Sequence, residues 1–193
     1  MAQANSEAQA PTIRHATLKD IEVVTQLVRD LADSVGLLDQ VQATTETLAS
    51  TLCLEGEDDE SPGTSAPSPG AVKAAHTVRP ARCLLLTDRP GGTVVGFAVY
   101  FYTYSTWLAR PGVFLEDLFV RPHERGKGYG TRLLAEVAKA VEEVQGGRLD
   151  WDVLKWNEKA LRFYESLGAK RRDEWVGMRL EGDALRSLTR LES

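Results

Sequence analysis

The sequence predicts a single α/β domain with a mixed, mostly antiparallel sheet and helices on both faces. Residues 113–120 carry apolar side chains on both faces, which is typical of a central strand covered on two sides. A glycine-rich turn at residues 125–131 leads directly into a helix with apolar positions at helical spacing. Two more strands, 82–87 and 93–104, are joined across a turn sequence that contains Pro and Gly.

The chain before these strands is predicted to form a short strand and two helices. Residues 12–15 can form the strand, and Thr17 with Asp20 has the form of a capping box. The helix that follows has one apolar face, made of Ile21, Val24, Leu27, Val28 and Leu31. A second helix is expected over residues 45–54.

The central strand is expected to alternate strictly. Val113, Leu115 and Phe119 then point one way, and Glu116 and Asp117 lie on opposite faces. The elements expected after the helix that follows are a strand at 148–155, a helix at 158–167 capped by Asn157, last strands within 169–180 and a short helix at 182–191.

Two segments are expected to lie outside the folded domain. Residues 1–11 have the composition of a disordered tail, so the domain is expected to span residues 12–193. Residues 55–80 carry an acidic run followed by Pro, Gly and Ser, with few large apolar groups. Such a segment cannot bury enough surface to offset its ordering entropy, so we expect a flexible insert, with an acidic interaction segment as the alternative.

Charge and composition disfavour nucleic-acid binding, a metal site and a membrane span. The chain has 193 residues and a net charge of −5, which disfavours nucleic-acid binding. Its two cysteines have no metal-ligand spacing, so no metal site is predicted. No apolar run is long enough for a membrane span or a signal peptide, and the cytoplasm or the nucleus is the expected compartment.

The glycine-rich turn has the features of an anion-binding site. Its glycines allow close approach to backbone N–H groups, and the helix N-terminus after it favours negative charge. Its G-x-G-x-G spacing differs from the dinucleotide fingerprint and from the Walker phosphate loop. The alternative is an ordinary surface turn that begins a core helix.

Several motifs at fixed spacings carry a family resemblance. They are Leu115-Glu116-Asp117, Arg125-Gly126-Lys127-Gly128, Trp156-Asn157, Phe163-Tyr164 and, upstream, Ser105-Thr106-Trp107. Together they resemble the GNAT superfamily of acetyl-CoA-dependent N-acetyltransferases. Within it, the chain looks like the spermidine/spermine acetyltransferase branch, and most like its thialysine acetyltransferase members. The resemblance covers residues 12–188 apart from the insert.

The resemblance implies acetyl-CoA as a co-substrate and indicates which residues contact it. The acetyl and pantetheine contacts are expected at Leu118, Phe119 and Val120. The diphosphate is expected at Arg125, Gly126, Lys127, Gly128, Tyr129, Gly130 and Thr131. Asn157 is expected to bind the pantetheine arm, and Tyr164 to lie at the sulfur.

The chemistry requires a base and an acid. A primary amine has a pKa of roughly 10 and must lose a proton before it attacks the thioester. Glu116 is the candidate base, directly or through water; a structural pair with a nearby Arg is the alternative. Tyr164 occupies the position of the family's general acid, although a tyrosine at this spacing from Leu161 and Leu167 fits a helix core equally. Asp117 is interpreted as structural.

The resemblance also indicates residues near the acceptor. They are Glu116, Trp107, Asp150, Trp151, Asp152 and Glu174. Acids two residues apart on one strand face lie about 7 Å apart and suit a cationic amine, and solvated surface charges are the alternative. Polyamine acetyltransferases carry acids where this chain has Val35 and Ser105, which favours a shorter amine, or an amino acid such as lysine, ornithine or thialysine, over a polyamine.

Three functions are therefore considered. The first is an N-acetyltransferase for a small amine, expected by resemblance to be a homodimer. The second is acetylation of a protein lysine or N-terminus. The third, from a different class, is a non-catalytic module that binds acetyl-CoA or a protein partner.

Overall fold

The structure, a computed structural model, describes residues 10–56 and 79–190. Most of the predicted tail (1–11) and of the predicted insert (55–80) lies outside the described residues. The chain divides into two units, Met1–Asp152 and Val153–Ser193.

A six-stranded sheet forms the first unit. Its strands are β1 Thr12–His15, β2 Leu52–Cys53, β3 Ala81–Thr87, β4 Val94–Ser105, β5 Arg110–Val120 and β6 Leu149–Trp151. The order is β1-β3-β4-β5-β6, and β2 pairs with β3. The β1–β3, β3–β4 and β4–β5 pairs are antiparallel, whereas β2–β3 and β5–β6 are parallel. The predicted mixed, mostly antiparallel sheet is confirmed.

Two helices cover one face of this sheet. Helix α1 spans Ile21–Ser34 and α2 spans Thr45–Thr51. As predicted, the Asp20 carboxylate accepts hydrogen bonds from the Thr17 backbone N–H and hydroxyl, at 2.8 and 2.7 Å. The core on this face contains Val24, Leu27, Leu85, Phe97, Val99 and Phe119, among others. Helix α2 ends before the predicted residue 54 because the chain enters β2 and pairs with β3.

Helix α3, Tyr129–Glu143, covers the other face. Its residues Leu133, Val137 and Ala140 are buried against the sheet. Gly96 of β4 permits this close packing, because a Cβ there would lie 3.3 Å from Leu133 Cδ1 of α3 and 2.8 Å from the Phe119 carbonyl oxygen of β5. The predicted helices on both faces are therefore confirmed.

The second unit contains two helices, α4 Glu158–Ser166 and α5 Gly182–Leu188. The prediction of last strands within 169–180 is wrong, since no residue there forms a strand. The alternating apolar residues of this segment, Val176, Met178 and Leu180, are exposed. A strand needs a partner for its backbone groups, and the described chain supplies none there. None of the described helices is long and apolar enough to cross a bilayer.

Candidate active site

A β-bulge interrupts β5 at Glu116. Val99 of β4 lies opposite Asp117, and the next residue, Tyr100, lies opposite Leu115, so Glu116 has no counterpart in β4. Glu116 is exposed, whereas Asp117 is partly buried. The regular alternation that predicted one acid on each face is therefore absent at this point.

The bulge also changes which face the rest of β5 presents. Phe119 pairs with Phe97 on the α1 side of the sheet, whereas Leu115 pairs with Tyr100 on the α3 side. The prediction that Val113, Leu115 and Phe119 share one face is wrong. One extra residue shifts the two-residue repeat by one, so every side chain before the bulge changes face.

Asp117, which is interpreted from the sequence as structural, is partly buried. Within the described residues its carboxylate makes no hydrogen bond or salt bridge. Burial raises the pKa of Asp117 to about 6, and the neighbouring Glu116 carboxylate adds to the rise. Glu116 and Asp117 are the two adjacent acids that the sequence places inside an otherwise apolar strand.

On the side of β5 that pairs with β6, no described strand pairs with the residues beyond Leu115. Strand β6 pairs only with Val113, Phe114 and Leu115, so pairing on this edge stops before the bulge. Phe119 and Val120 are buried. No described strand, however, pairs with residues 116–120 on the β6 side of β5. Residues 116–120 therefore have backbone groups on this edge that no described strand pairs with.

The glycine turn joins this open strand to α3. Gly126 and Gly128 have φ values of 81° and 77°, in the left-handed region that favours glycine. A Cβ at either position would meet no atom within 4 Å, so the space over the turn is open. Gly128 is also the N-cap of α3. The turn therefore combines a glycine-rich backbone in the left-handed region with a helix N-terminus, and the space beside both glycines is open.

The two cations of the turn already have partners in the protein. Arg125 Nε donates to the Val120 carbonyl oxygen at 2.9 Å, and Lys127 Nζ lies 2.7 Å from Glu124 Oε2. The Lys127–Glu124 pair is exposed and therefore weak. We infer that the backbone geometry of the turn contributes more to anion preference than these side-chain charges do.

Asn157 and Tyr164 belong to the second unit. Asn157 Oδ1 accepts from the Ala160 backbone N–H at 3.2 Å, which confirms the predicted cap and leaves the side-chain NH2 as a donor. Tyr164 lies on α4 beside Phe163, with ring centroids 5.0 Å apart. Burial raises the pKa of Tyr164 to about 12, so its hydroxyl stays protonated at neutral pH. The roles predicted for both remain predictions.

The residues predicted near the acceptor belong to different elements and to both units. Asp150 and Trp151 lie in β6 opposite Phe114 and Leu115, which brings them beside β5. Trp107, in the turn between β4 and β5, is 86% exposed. Glu174 is exposed in the second unit, in a segment without regular structure.

The expected pair of acids on one strand face is not formed. Strand β6 ends at Trp151, so Asp152 lies beyond it and is exposed. Asp150 forms a salt bridge with Arg148, whose Nε lies 2.7 Å from Asp150 Oδ2. Arg148 was absent from the predicted site, although its position two residues before Asp150 on the strand predicted over 148–155 could have indicated it. Among the described residues, no cluster of His, Cys, Asp and Glu is arranged to hold a metal.

Comparison with known proteins agrees with this geometry. Residues 51–169 match the Acetyltransferase (GNAT) family. L-ornithine N5-acetyltransferase NATA1 of Arabidopsis thaliana is 35% identical over 200 aligned positions, covering 93% of this chain and 88% of that protein. Thialysine N-epsilon-acetyltransferase of Mus musculus is 32% identical over 187 positions, covering 91% and 95%.

A solved structure supports the fold. An integron cassette protein from the mobile metagenome of V. cholerae superimposes with a TM-score of 0.66 and 23% identity, covering 94% of this chain and 99% of that one.

The mixed sheet, the unpaired β5 edge and the glycine turn before α3 define an α/β protein with a glycine turn at a helix N-terminus. The chain belongs to the GNAT acetyltransferase family and is an acetyltransferase. The predicted resemblance to the branch that contains thialysine acetyltransferases is confirmed.

Proposed function

We propose that this acetyltransferase uses acetyl-CoA to acetylate the side-chain amine of a small basic amino acid. The observation that carries the proposal is the similarity, across nearly the whole chain, to relatives named for ornithine and thialysine acetylation. The Arg148–Asp150 salt bridge supports an amino acid over a polyamine, because it removes net negative charge beside β5.

The glycine turn fits the diphosphate of the co-substrate. Gly126 and Gly128 hold the backbone in a conformation that exposes N–H groups, and no side chain fills the space above them. A diphosphate at this point would also benefit from the N-terminal dipole of α3. Acetyl-CoA supplies an activated acetyl thioester, and the predicted thioester contacts are backbone groups on the open edge of β5.

Glu116 is suited to accept the proton of the amine. The bulge leaves it exposed at the open edge, with the buried Asp117 next to it in the chain. A carboxylate at this position can attract an ammonium group and take its proton, directly or through water. The protonated Tyr164 hydroxyl is the proposed proton donor to the departing thiolate.

The experiment that tests the function is thiol release from acetyl-CoA with a panel of acceptors. Ornithine, lysine and thialysine are expected to give kcat/KM at least about tenfold above spermidine, putrescine and a lysine-containing peptide. Release with the peptide alone would support the protein-modifying alternative. Acetyl-CoA binding without release by any acceptor would support the non-catalytic module. The homodimer expected by resemblance is checked by sedimentation velocity.

A further inference from the structure

A cavity of about 360 Å³ opens on the α3 side of the sheet. It lies at the C-terminal end of α3, where Glu143 is the last helical residue, whereas the glycine turn lies at the other end. The rest of its wall comes from β1, β2, β3 and β4 and from residues 54–56, which follow β2. A helix of 15 residues is about 22 Å long, so the cavity and the turn are well separated.

One cation, Arg82, is fixed in the wall of this cavity. Its Nη1 lies 3.9 Å from Cys53 Sγ, and its guanidinium carbon lies 5.4 Å from the centroid of the Tyr102 ring. These contacts orient the side chain without neutralising its charge. In the part of the chain that the structure describes, Arg82 forms no salt bridge.

Two carboxylates, Glu55 and Glu143, line the same cavity. Neither forms a salt bridge with any described residue. Arg14 interacts electrostatically with Glu55. Its guanidinium, however, donates two hydrogen bonds of 2.7 Å to the Asp20 carboxylate. Opposite charges thus line one cavity without pairing to each other.

This arrangement favours a ligand that carries both signs of charge. Both carboxylates are exposed and Arg82 is half-buried. A ligand with a carboxylate and cationic groups can pair with all three side chains, whereas a simple ion pairs with one sign only. One guanidinium and two carboxylates give the wall a net negative charge, which favours a ligand of net positive charge.

The size and the aromatic wall agree with a small molecule. A volume of about 360 Å³ is near the lower end of the range for ligand pockets. The Tyr100 and Tyr102 rings meet edge to face with centroids 6.2 Å apart. Burial raises the pKa of Tyr100, so its hydroxyl remains a hydrogen-bond donor at neutral pH.

We propose that this cavity is a second binding site, which takes a free basic amino acid with its carboxylate at Arg82 and its two cationic groups at Glu55 and Glu143. None of the predicted catalytic, co-substrate or acceptor residues lines the cavity. The proposal therefore does not depend on which amine the enzyme acetylates.

Isothermal titration calorimetry of the full chain with L-arginine, in the absence of acetyl-CoA, tests the proposal. The wild type is expected to bind with a Kd below about 1 mM, and Arg82→Gln and Glu143→Gln are each expected to weaken binding at least about tenfold. Glu142→Gln and Arg110→Gln are the matched controls, because both residues are exposed and outside the cavity. Both controls should bind as the wild type does.

The assignment of the carboxylate is tested with agmatine, which is arginine without that group. Agmatine should bind the wild type about as weakly as arginine binds Arg82→Gln, and should be unaffected by Arg82→Gln itself. The acetyl transfer rate and circular dichroism of each variant report whether it is folded, and Arg82→Lys should give intermediate binding because it keeps the charge. No binding by the wild type, or binding that Arg82→Gln and Glu143→Gln leave unchanged, would overturn the proposal.

Discussion

At the scale of single residues, the fold disfavours the ionised form of the Asp117 side chain. Its pKa is raised from 3.8 to about 6, chiefly by burial. The folded protein therefore holds a proton more tightly than the unfolded chain does. Stability is expected to fall as the pH rises from about 4 to about 6, and to remain reduced above that window.

Asp117→Asn should remove this cost. At pH 8 we expect the variant to be more stable than the wild type by at most about 3 kcal/mol, because each pKa unit corresponds to about 1.4 kcal/mol. The difference should shrink towards zero below about pH 3, where Asp117 is protonated in both states. Urea unfolding at several pH values measures this effect.

The matched control for this prediction is Asp152→Asn, because Asp152 is exposed. Its free energy of unfolding should stay within about 0.5 kcal/mol of the wild type. A loss of stability in Asp117→Asn at pH 8 would contradict the prediction, since it would mean that the ionised carboxylate is stabilised in the fold.

Tyr164 is the second residue whose protonation bears on function. Because burial raises its pKa to about 12, the hydroxyl can donate a proton throughout the neutral range. Tyr164→Phe should lower kcat by about 10²–10⁴-fold and change the Kd of acetyl-CoA by less than about threefold. Tyr104→Phe, at an exposed tyrosine of β4, is the control and should keep full turnover. An unchanged kcat in Tyr164→Phe would reject the proposed role.

At the scale of elements, the glycine turn and the β5 bulge are both features of backbone conformation. The turn exposes N–H groups because two of its residues adopt positive φ, and the bulge leaves the β5 edge open next to it. Neither feature depends on a particular charged side chain, which agrees with the internal partners of Arg125 and Lys127.

Gly128→Ala tests the turn. The residue has a φ of 77°, and no atom lies within 4 Å of the position that a Cβ would occupy, so the stability cost should be only about 1 kcal/mol of backbone strain. The methyl group would project where the diphosphate is expected, so the Kd of acetyl-CoA should rise at least about tenfold. Titration calorimetry with acetyl-CoA and urea unfolding measure the two effects.

Gly91→Ala is the control for the turn. Gly91 also has a positive φ and open surroundings, but it lies in the turn between β3 and β4. Its substitution should cost similar stability and leave acetyl-CoA affinity unchanged. Equal losses of affinity in both variants would attribute the effect to strain and remove the support for a diphosphate site.

At the scale of the whole molecule, much of the net charge lies in one segment. Residues 57–78 contain four acids and one lysine, so they carry −3 of the net −5. Their composition predicts that they contribute little to the core.

Replacing residues 57–78 with a short Gly-Ser linker should therefore leave the rest of the protein folded. We expect the thermal midpoint to change by less than about 4 °C, which corresponds to less than about 1 kcal/mol, and kcat/KM to stay within about threefold. A larger loss of either would show that this segment supports the fold or the site.

The sequence alone was sufficient for features that depend on neighbouring residues. The Thr17–Asp20 cap, the Asn157 cap, the apolar faces of α1 and α3 and the glycine turn are all local, because side chains within one turn of a helix meet by geometry. The family motifs were readable for the same reason, since their order and spacing are properties of the chain.

Only the tertiary structure decided the features that join distant parts of the chain. Glu116 is unpaired because β4 sets the register of β5, and the segment 169–180 stays irregular because it has no partner strand. The cavity brings together Glu55, Arg82 and Glu143, which lie far apart in the sequence. Pairing and burial depend on which elements meet, and an alternating or charged pattern in one segment does not contain that information.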